Sequence, residues 1–282
     1  MPTSKSESKL KPISLGIFAV ALWAAIPAFV KVGSTLETLP FLLLLRFLIA
    51  SLFFVALVPR IFSKLKQLPA HLYLALTICL GANFFFQGMA MLYLPVSWYL
   101  IIFCLNPLFA LLFLGVPFSR KLILGIGLSI GGTLLFVNLN EVQTAYGWLP
   151  LVYVAIGMMT WVAYTLLVKR FQIVYTNIEV TALTQFSALI ACALIWAATG
   201  FGVFQLSTQH TASVLALGAL TPLAYFGFTS CLRALPKFGV VSQYLEPVFG
   251  IAIGVFFFSE SLSAAQLLGS AMIVFGSVTI EN

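Results

Sequence analysis

The 282-residue sequence contains no aspartate, and only 7% of its residues are charged. A water-soluble chain carries about a quarter charged residues, so a soluble fold is excluded. Without Asp there is no intramembrane aspartyl protease, whose chemistry needs two Asp carboxylates. Histidine is nearly missing, with only His71 and His210, and all four cysteines (Cys79, Cys104, Cys192 and Cys231) fall inside apolar runs. Thiols there pack as small hydrophobes, so neither a disulfide framework nor a zinc cluster is expected. No G-x4-G-K-[ST] loop offers a phosphate cradle for direct use of ATP. Gly127-Leu128-Ser129-Ile130-Gly131 matches G-x-S-x-G. It lies inside an apolar run rather than at a strand-to-helix elbow, and neither histidine is placed to serve as its base. An enzyme, a metal and a cofactor are therefore not expected.

What is present is apolar surface. Hydrophobic residues make up 62% of the chain and aromatic residues 15%, and the mean hydropathy is +1.11. A bilayer core of about 30 Å takes about 20 residues of apolar helix. Ten such runs are bounded by polar, Gly or Pro residues: 13–33, 39–58, 71–92, 96–116, 122–138, 148–168, 178–199, 212–232, 239–258 and 262–280. They are continuously apolar, unlike the alternating ten-residue strands of a membrane barrel. The expected fold is an all-α membrane protein of ten spans.

The net charge of +7 would suggest nucleic acid in a soluble chain, but basic residues interleaved with stacking aromatics on a groove are absent. In a hydrophobic chain a basic excess anchors cytoplasmic loops. With the N-terminus inside, the inside loops hold Lys5, Lys9, Lys11, Arg60, Lys64, Lys66, Arg120, Lys121, Lys169, Arg170, Arg233 and Lys237, and the outside loops hold none. Both termini are thus predicted to be cytoplasmic, in the plasma (inner) membrane, with the first span uncleaved. The remaining basic residues, Lys31 and Arg46, fall within spans.

The second half of the chain repeats the first. Leu105-Asn106-Pro107-Leu108-Phe109 aligns with Leu245-Glu246-Pro247-Val248-Phe249 at an offset of 140. Trp23 and Lys31 align with Trp161 and Lys169, and Arg46-Phe47 with Gln185-Phe186. Because each copy has an odd number of spans, the second enters the membrane from the opposite side. The predicted organisation is a cytoplasmic tail (1–12), a first five-helix repeat (13–138), an outside linker (139–147) and a second five-helix repeat (148–280). Inverted repeats of this kind recur in transporters that bind substrate near the midplane and alternate access.

The stretches LNPLFALLFLG and LEPVFGIAIGVFFFSESLSAAQLLGSAMIVFGSV, the RFLIA early in the second span, and W-x7-K in the first span of each half resemble the EamA-type branch of the drug/metabolite transporter superfamily. The resemblance runs from about Ile13 to Ile280. It implies ten helices in two inverted repeats and movement of small metabolites, amino acids among them. The family pattern places a Glu that Glu260 matches in the second copy, whereas Gly115-Val116-Pro117 lacks it in the first.

Depth in the membrane selects the candidate substrate-binding residues. Glu246, eighth in its span, lies near mid-membrane, where an ionised carboxylate is costly unless paired or hydrated. It would bind a substrate amine or take up a proton, which brings proton coupling into the expectation. Asn106 offers a donor and an acceptor at similar depth. Arg46 is about 10 Å below the outer end of its span, a fork-shaped donor for a carboxylate or a partner for neighbouring helices. Gln185 is its counterpart. Trp23, Trp161 and Tyr164 sit too deep for an interfacial belt, and with Asn83, Gln87 and Tyr225 would wall a mostly aromatic pocket. Trp98 and Tyr99 are assigned to the belt. Lys31 snorkels to the outer surface, and Lys169 does so at the inner one. Pro27, Pro107, Pro222 and Pro247 fall within spans and free helix carbonyls. Gly127-x3-Gly131 and Gly250-x3-Gly254 read as close-packing faces.

These readings point to a secondary transporter of small metabolites, amino acids first, embedded in the lipid bilayer. Nucleosides, purines or cofactor-like metabolites are the alternative cargo. A non-transporting receptor or scaffold is the alternative of a different class.

Overall fold

A computed structural model describes residues 7–58, 63, 68–94, 99, 103, 105–135, 147–200, 202–203, 207–258 and 263–281. Lys5, Arg60, Lys64, Lys66, Trp98, Cys104, Glu260 and most of the 139–147 linker lie outside the described residues, as does the side chain of Lys31. All regular structure among the described residues is helical. The helices are α1 (Glu7–Gly33), α2 (Leu39–Leu57), α3 (Ala70–Tyr93), α4 (Asn106–Phe113), α5 (Arg120–Leu134), α6 (Leu149–Phe171), α7 (Asn177–Thr199), α8 (Thr208–Ala234), α9 (Pro236–Val241), a 3-10 turn at Ser242–Leu245, α10 (Glu246–Phe258) and α11 (Ala264–Glu281).

The ends of these helices are written in the sequence. Pro stands in the first turn of α2, α4, α6 and α9, where its missing N–H costs nothing. Thr176 and Glu179 form a reciprocal capping box at the start of α7, and Gly200 closes that helix at φ 58°. Ser119 caps α5 by accepting from Leu122 N. Lys169 and Arg170 occupy the last turn of α6, where the helix dipole favours positive charge. Segments within α1, α3, α6, α7 and α8 are long and apolar enough to cross a membrane, and α2 and α11 contain shorter apolar segments.

Of the fourth span, Tyr99, Phe103 and Asn106–Phe113 are helical, and the rest of 96–104 lies outside the described residues. One span differs from the sequence expectation. The ninth is not one helix: α9 passes through the 3-10 turn into α10. Pro247 accounts for this, because it cannot donate to the carbonyl of Gln243 and its ring would crowd that carbonyl. Pro107 and Pro247 therefore stand in the first turn of helices rather than inside them. Pro27 and Pro222 keep the expected place, within α1 and α8.

The chain forms two compact units, and the unit boundaries fall inside α1 and α8. One unit comprises Met1–Ala25, Val96–Gln143 and Ala224–Asn282; the other comprises Ile26–Pro95 and Thr144–Leu223. In the first unit α5 packs on α11, α4 on α9, and α1 on α8 through Gly16 at Cys231 and Ala19 at Gly227. In the second, α2 packs on α7, and α3 on α6 and α7.

Numbered by span, helices 2 and 7, 4 and 9, and 5 and 10 pair with their own repeat counterparts. Span 1 pairs with 8 as 3 pairs with 6. This reciprocity is what a two-fold relation between the repeats produces.

The α5–α11 seam shows it at residue level. Gly125 meets Gly276, and seven residues on, Gly132 meets Gly269, so the two helices run antiparallel. A Cβ on Gly125 would stand 2.6 Å from the Gly276 carbonyl oxygen, and one on Gly132 would stand 2.5 Å from that of Gly269. These are the close-packing glycines, and the expectation for Gly127, Gly131 and Gly250 is corrected. Gly127 and Gly250 face open space, and Gly131 meets only the Met272 methyl. The four-residue spacing put Gly127 on the face of α5 turned away from α11.

Candidate functional site

In the first unit, the repeat-related pairs Asn106-Pro107 and Glu246-Pro247 open α4 and α10. With Phe103, Gln243 and Tyr244 they line one cleft with about 10 Å³ of free space, room for a single water. Asn106 is fully buried. Its Nδ2 donates to Gln243 Oε1 at 2.8 Å, while its Oδ1 has no hydrogen-bond partner among the described residues. Glu246 is half-buried in the first turn of α10, where the helix dipole favours negative charge.

Trp23, 8% exposed, meets Tyr225 edge-on with ring centroids 5.7 Å apart and lies 5.1 Å from Phe228. The belt assignment of Tyr99 is corrected. It is buried and stacks on Phe103 at 5.3 Å, so its ring is spent on packing rather than presented to headgroups.

In the second unit, Arg46 is 4% exposed. Its Nε donates to Thr221 Oγ1 at 2.7 Å, and its guanidinium carbon lies 5.0 and 5.3 Å from the ring centroids of Phe47 and Phe84, within cation–π range. Thr221 in turn donates to Leu217 O at 2.6 Å. Asn83 is fully buried, and its Nδ2 donates across to Gly157 O at 2.8 Å, linking α3 to α6. Gln87 lies against the same glycine, where a Cβ would stand 2.7 Å from Gln87 Cγ. Trp161 and Tyr164 meet at 5.0 Å, and the Tyr164 hydroxyl is 3.3 Å from Thr184 Oγ1. Gln185 is fully buried, and neither of its amide atoms has a hydrogen-bond partner among the described residues.

The structure thus brings together Asn106 with Glu246, Trp23 with Tyr225, Trp161 with Tyr164, and Asn83 with Gln87. Arg46 and Gln185 belong to one unit and Glu246 to the other. The arrangement supplies donors, acceptors and ring faces, the chemistry of binding.

Three neighbours escaped sequence reasoning. Gln243 stands one helical turn before Glu246, and Thr221 just before Pro222; a polar residue beside an in-span proline or carboxylate was the available signal. The third is a half-buried aromatic group: Tyr153 lies 5.6 Å from Phe86 and 6.2 Å from Tyr93. Phe86 and Tyr93 are seven residues apart on α3, hence on one face.

Compared with known proteins, the chain matches the family described as EamA-like transporter family twice, over residues 10–138 and 148–281. No curated protein matches it. Among solved structures, one titled "Crystal structure of protein" is 21% identical with a TM-score of 0.78, the alignment covering 98% of this chain and 96% of that one. That likeness shows a shared fold.

Proposed function

The chain belongs to the EamA-like transporter family, hence to the drug/metabolite transporters, multi-pass membrane proteins that move small molecules; from that premise we propose that it is a secondary exporter of amino acids or closely related metabolites. It would span the plasma (inner) membrane ten times as two inverted five-helix repeats, with both termini in the cytoplasm. The antiparallel pairing of the repeat counterparts α5 and α11 supports the inversion.

The observation that carries the amino-acid reading is the pair of opposite charges set in apolar spans. Arg46, held by Thr221 and two ring faces, is a donor suited to a carboxylate. Glu246, opening α10, is an acceptor suited to an ammonium group. Amino acids carry both complementary groups, each charge being read within its own unit. Trp161 and Tyr164, or Trp23 and Tyr225, offer ring surface for an apolar side chain.

A second reading, flat heterocycles such as nucleosides, purines or cofactor-like metabolites, is favoured by the half-buried rings of Phe86, Tyr93 and Tyr153, because π-faces stack on planar ligands. Counterflow in proteoliposomes separates the readings. Vesicles are loaded with an unlabelled amino acid or nucleoside, and uptake of the same labelled compound is followed. Saturable amino-acid exchange that falls in Glu246→Gln, Arg46→Ala and Trp161→Ala supports the first. Exchange confined to nucleosides replaces it with the second. Absence of saturable exchange for either class leaves a receptor or scaffold.

A further inference from the structure

Two helices continue across the unit boundaries. α1 passes from one unit to the other between Ala25 and Ile26, and α8 does so between Leu223 and Ala224. A proline stands within two residues of each crossing, Pro27 in α1 and Pro222 in α8. Inside a helix Pro27 cannot donate to the carbonyl of Trp23, nor Pro222 to that of Gly218, and each ring crowds the carbonyl it leaves. Interior prolines are where long helices bend. Thr221 softens the second position further, because its hydroxyl donates to Leu217 O at 2.6 Å, a back-bond that bends helices.

Away from the crossings both helices are held. In the first unit a Cβ on Gly16 would stand 2.7 Å from Cys231 Sγ, and one on Gly227 2.7 Å from Leu15 O. Numbers that rise along α1 thus fall along α8, so the two run antiparallel. In the second unit a Cβ on Gly33 would stand 2.7 Å from Ser213 Cβ, one on Gly218 would stand 2.6 Å from Ile49 Cγ2, and Arg46 Nε holds Thr221. Counted from the contact of Gly33 with Ser213, Pro27 is six residues along α1 and Pro222 nine along α8. The two prolines therefore differ in height by less than one helical turn.

The repeat provides an internal control. The counterpart of the pair α1 and α8 is the pair α3 and α6, which the Asn83 bond to Gly157 O ties together. Both of these helices lie wholly within the second unit. α3 has no proline, and the only one in α6 is Pro150 in the first turn. The pair with interior prolines is divided between units, and its counterpart without them is not.

From this arrangement we propose that Pro27 and Pro222 form one transverse joint, at which α1 and α8 bend together as the two units turn during transport, while α3 and α6 stay straight. The proposal rests on the transporter reading above. It makes the motion unequal between the repeats: one of the two related helix pairs is built to bend, and the other is built to hold.

The test has two arms on the purified full-length protein. The first needs no substrate. Spin labels are attached at Ile123→Cys in the first unit and Ile173→Cys in the second, both exposed positions, with the four native cysteines replaced by Ala. Pulsed electron paramagnetic resonance in lipid nanodiscs then gives their distance distribution. With both prolines present the distribution should be broad or two-peaked. It should narrow to one peak in the double variant Pro27→Ala, Pro222→Ala, and stay unchanged in Pro150→Ala. A distribution that ignores the loss of both prolines, or that narrows equally in Pro150→Ala, overturns the joint.

The second arm is counterflow in proteoliposomes with labelled leucine and, in parallel, adenosine. The double variant should exchange about five- to tenfold more slowly, the weight of one restored helix hydrogen bond, with the half-saturating concentration unchanged and the unfolding temperature no lower. A raised half-saturating concentration at an unchanged rate would make the prolines part of the binding site and overturn the joint. If neither probe exchanges while the distance distribution narrows as expected, the joint stands and the transport reading falls.

Discussion

Arg46 and Thr221 are joined by a 2.7 Å hydrogen bond from Nε to Oγ1 that ties α2 to α8 one residue before Pro222. The hydroxyl works in both directions, accepting from the guanidinium and donating to Leu217 O. A cation at this depth is thereby given a fixed direction.

Thr221→Val keeps the shape of the side chain and removes the acceptor. It should cost about 1–2 kcal/mol of stability, the range for a hydrogen bond to a charged donor within a membrane bundle. If Arg46 binds substrate carboxylate, the half-saturating concentration in counterflow should rise in the same variant. Thermal unfolding in detergent and a substrate titration read the two effects separately.

Gly125 and Gly127 lie on the same helix, so replacing either by Val carries the same propensity cost. Only at Gly125 would the new side chain meet the Gly276 carbonyl, while Gly127 faces open space. Gly125→Val should lose about 1–3 kcal/mol more than Gly127→Val, the cost of overpacking. Gly132→Val should behave like Gly125→Val. Equal unfolding temperatures for Gly125→Val and Gly127→Val would remove the seam from the account.

Gln185 buries two unpaired polar atoms, an expense of about 1–3 kcal/mol with no return in the folded chain. Gln185→Leu should therefore raise the unfolding temperature and lower the counterflow rate, the pattern of a residue kept for activity at the expense of stability. A variant that is both more stable and fully active would show that the amide has no part in transport.

Tyr153 touches both Phe86 and Tyr93. Tyr153→Leu keeps apolar bulk and removes the central ring. Competition by aromatic amino acids and purines should weaken by about 0.5–1.5 kcal/mol, the worth of a ring pair, while competition by aliphatic amino acids stays unchanged. A panel of unlabelled competitors against one labelled substrate measures this.

Composition and run length made the helical architecture legible, because lipid leaves a spanning chain few other solutions. The repeat was legible for a different reason: Asn106-Pro107 and Glu246-Pro247 are distinctive dipeptides in a background of Leu, Phe and Ala. Their role at helix starts was not, since whether a proline bends a helix or begins one depends on the residues just before it, and Ser242–Leu245 tighten into a 3-10 turn only in three dimensions. The packing glycines were misread because G-x3-G counts residues along one helix, whereas contact is decided by which face the partner occupies. Gly125 and Gly132, two turns apart, share a face that Gly127 does not. Side-chain pairings such as Arg46 with Thr221, 175 residues apart, leave no trace in local pattern at all.

Where the backbones of α5 and α11 touch at two levels, neither helix can roll about its own axis, and a slide along the seam would drive side chains into carbonyls that only glycine tolerates. The pair is therefore a stiff double rod, fixed in register. Bending within that unit falls to the joint at Ser242–Leu245, where the weaker hydrogen bonds of a 3-10 turn stand next to the carboxyl of Glu246. A stiff spine beside a soft elbow lets a small change in charge at that elbow tilt α10 without disturbing the helices behind it.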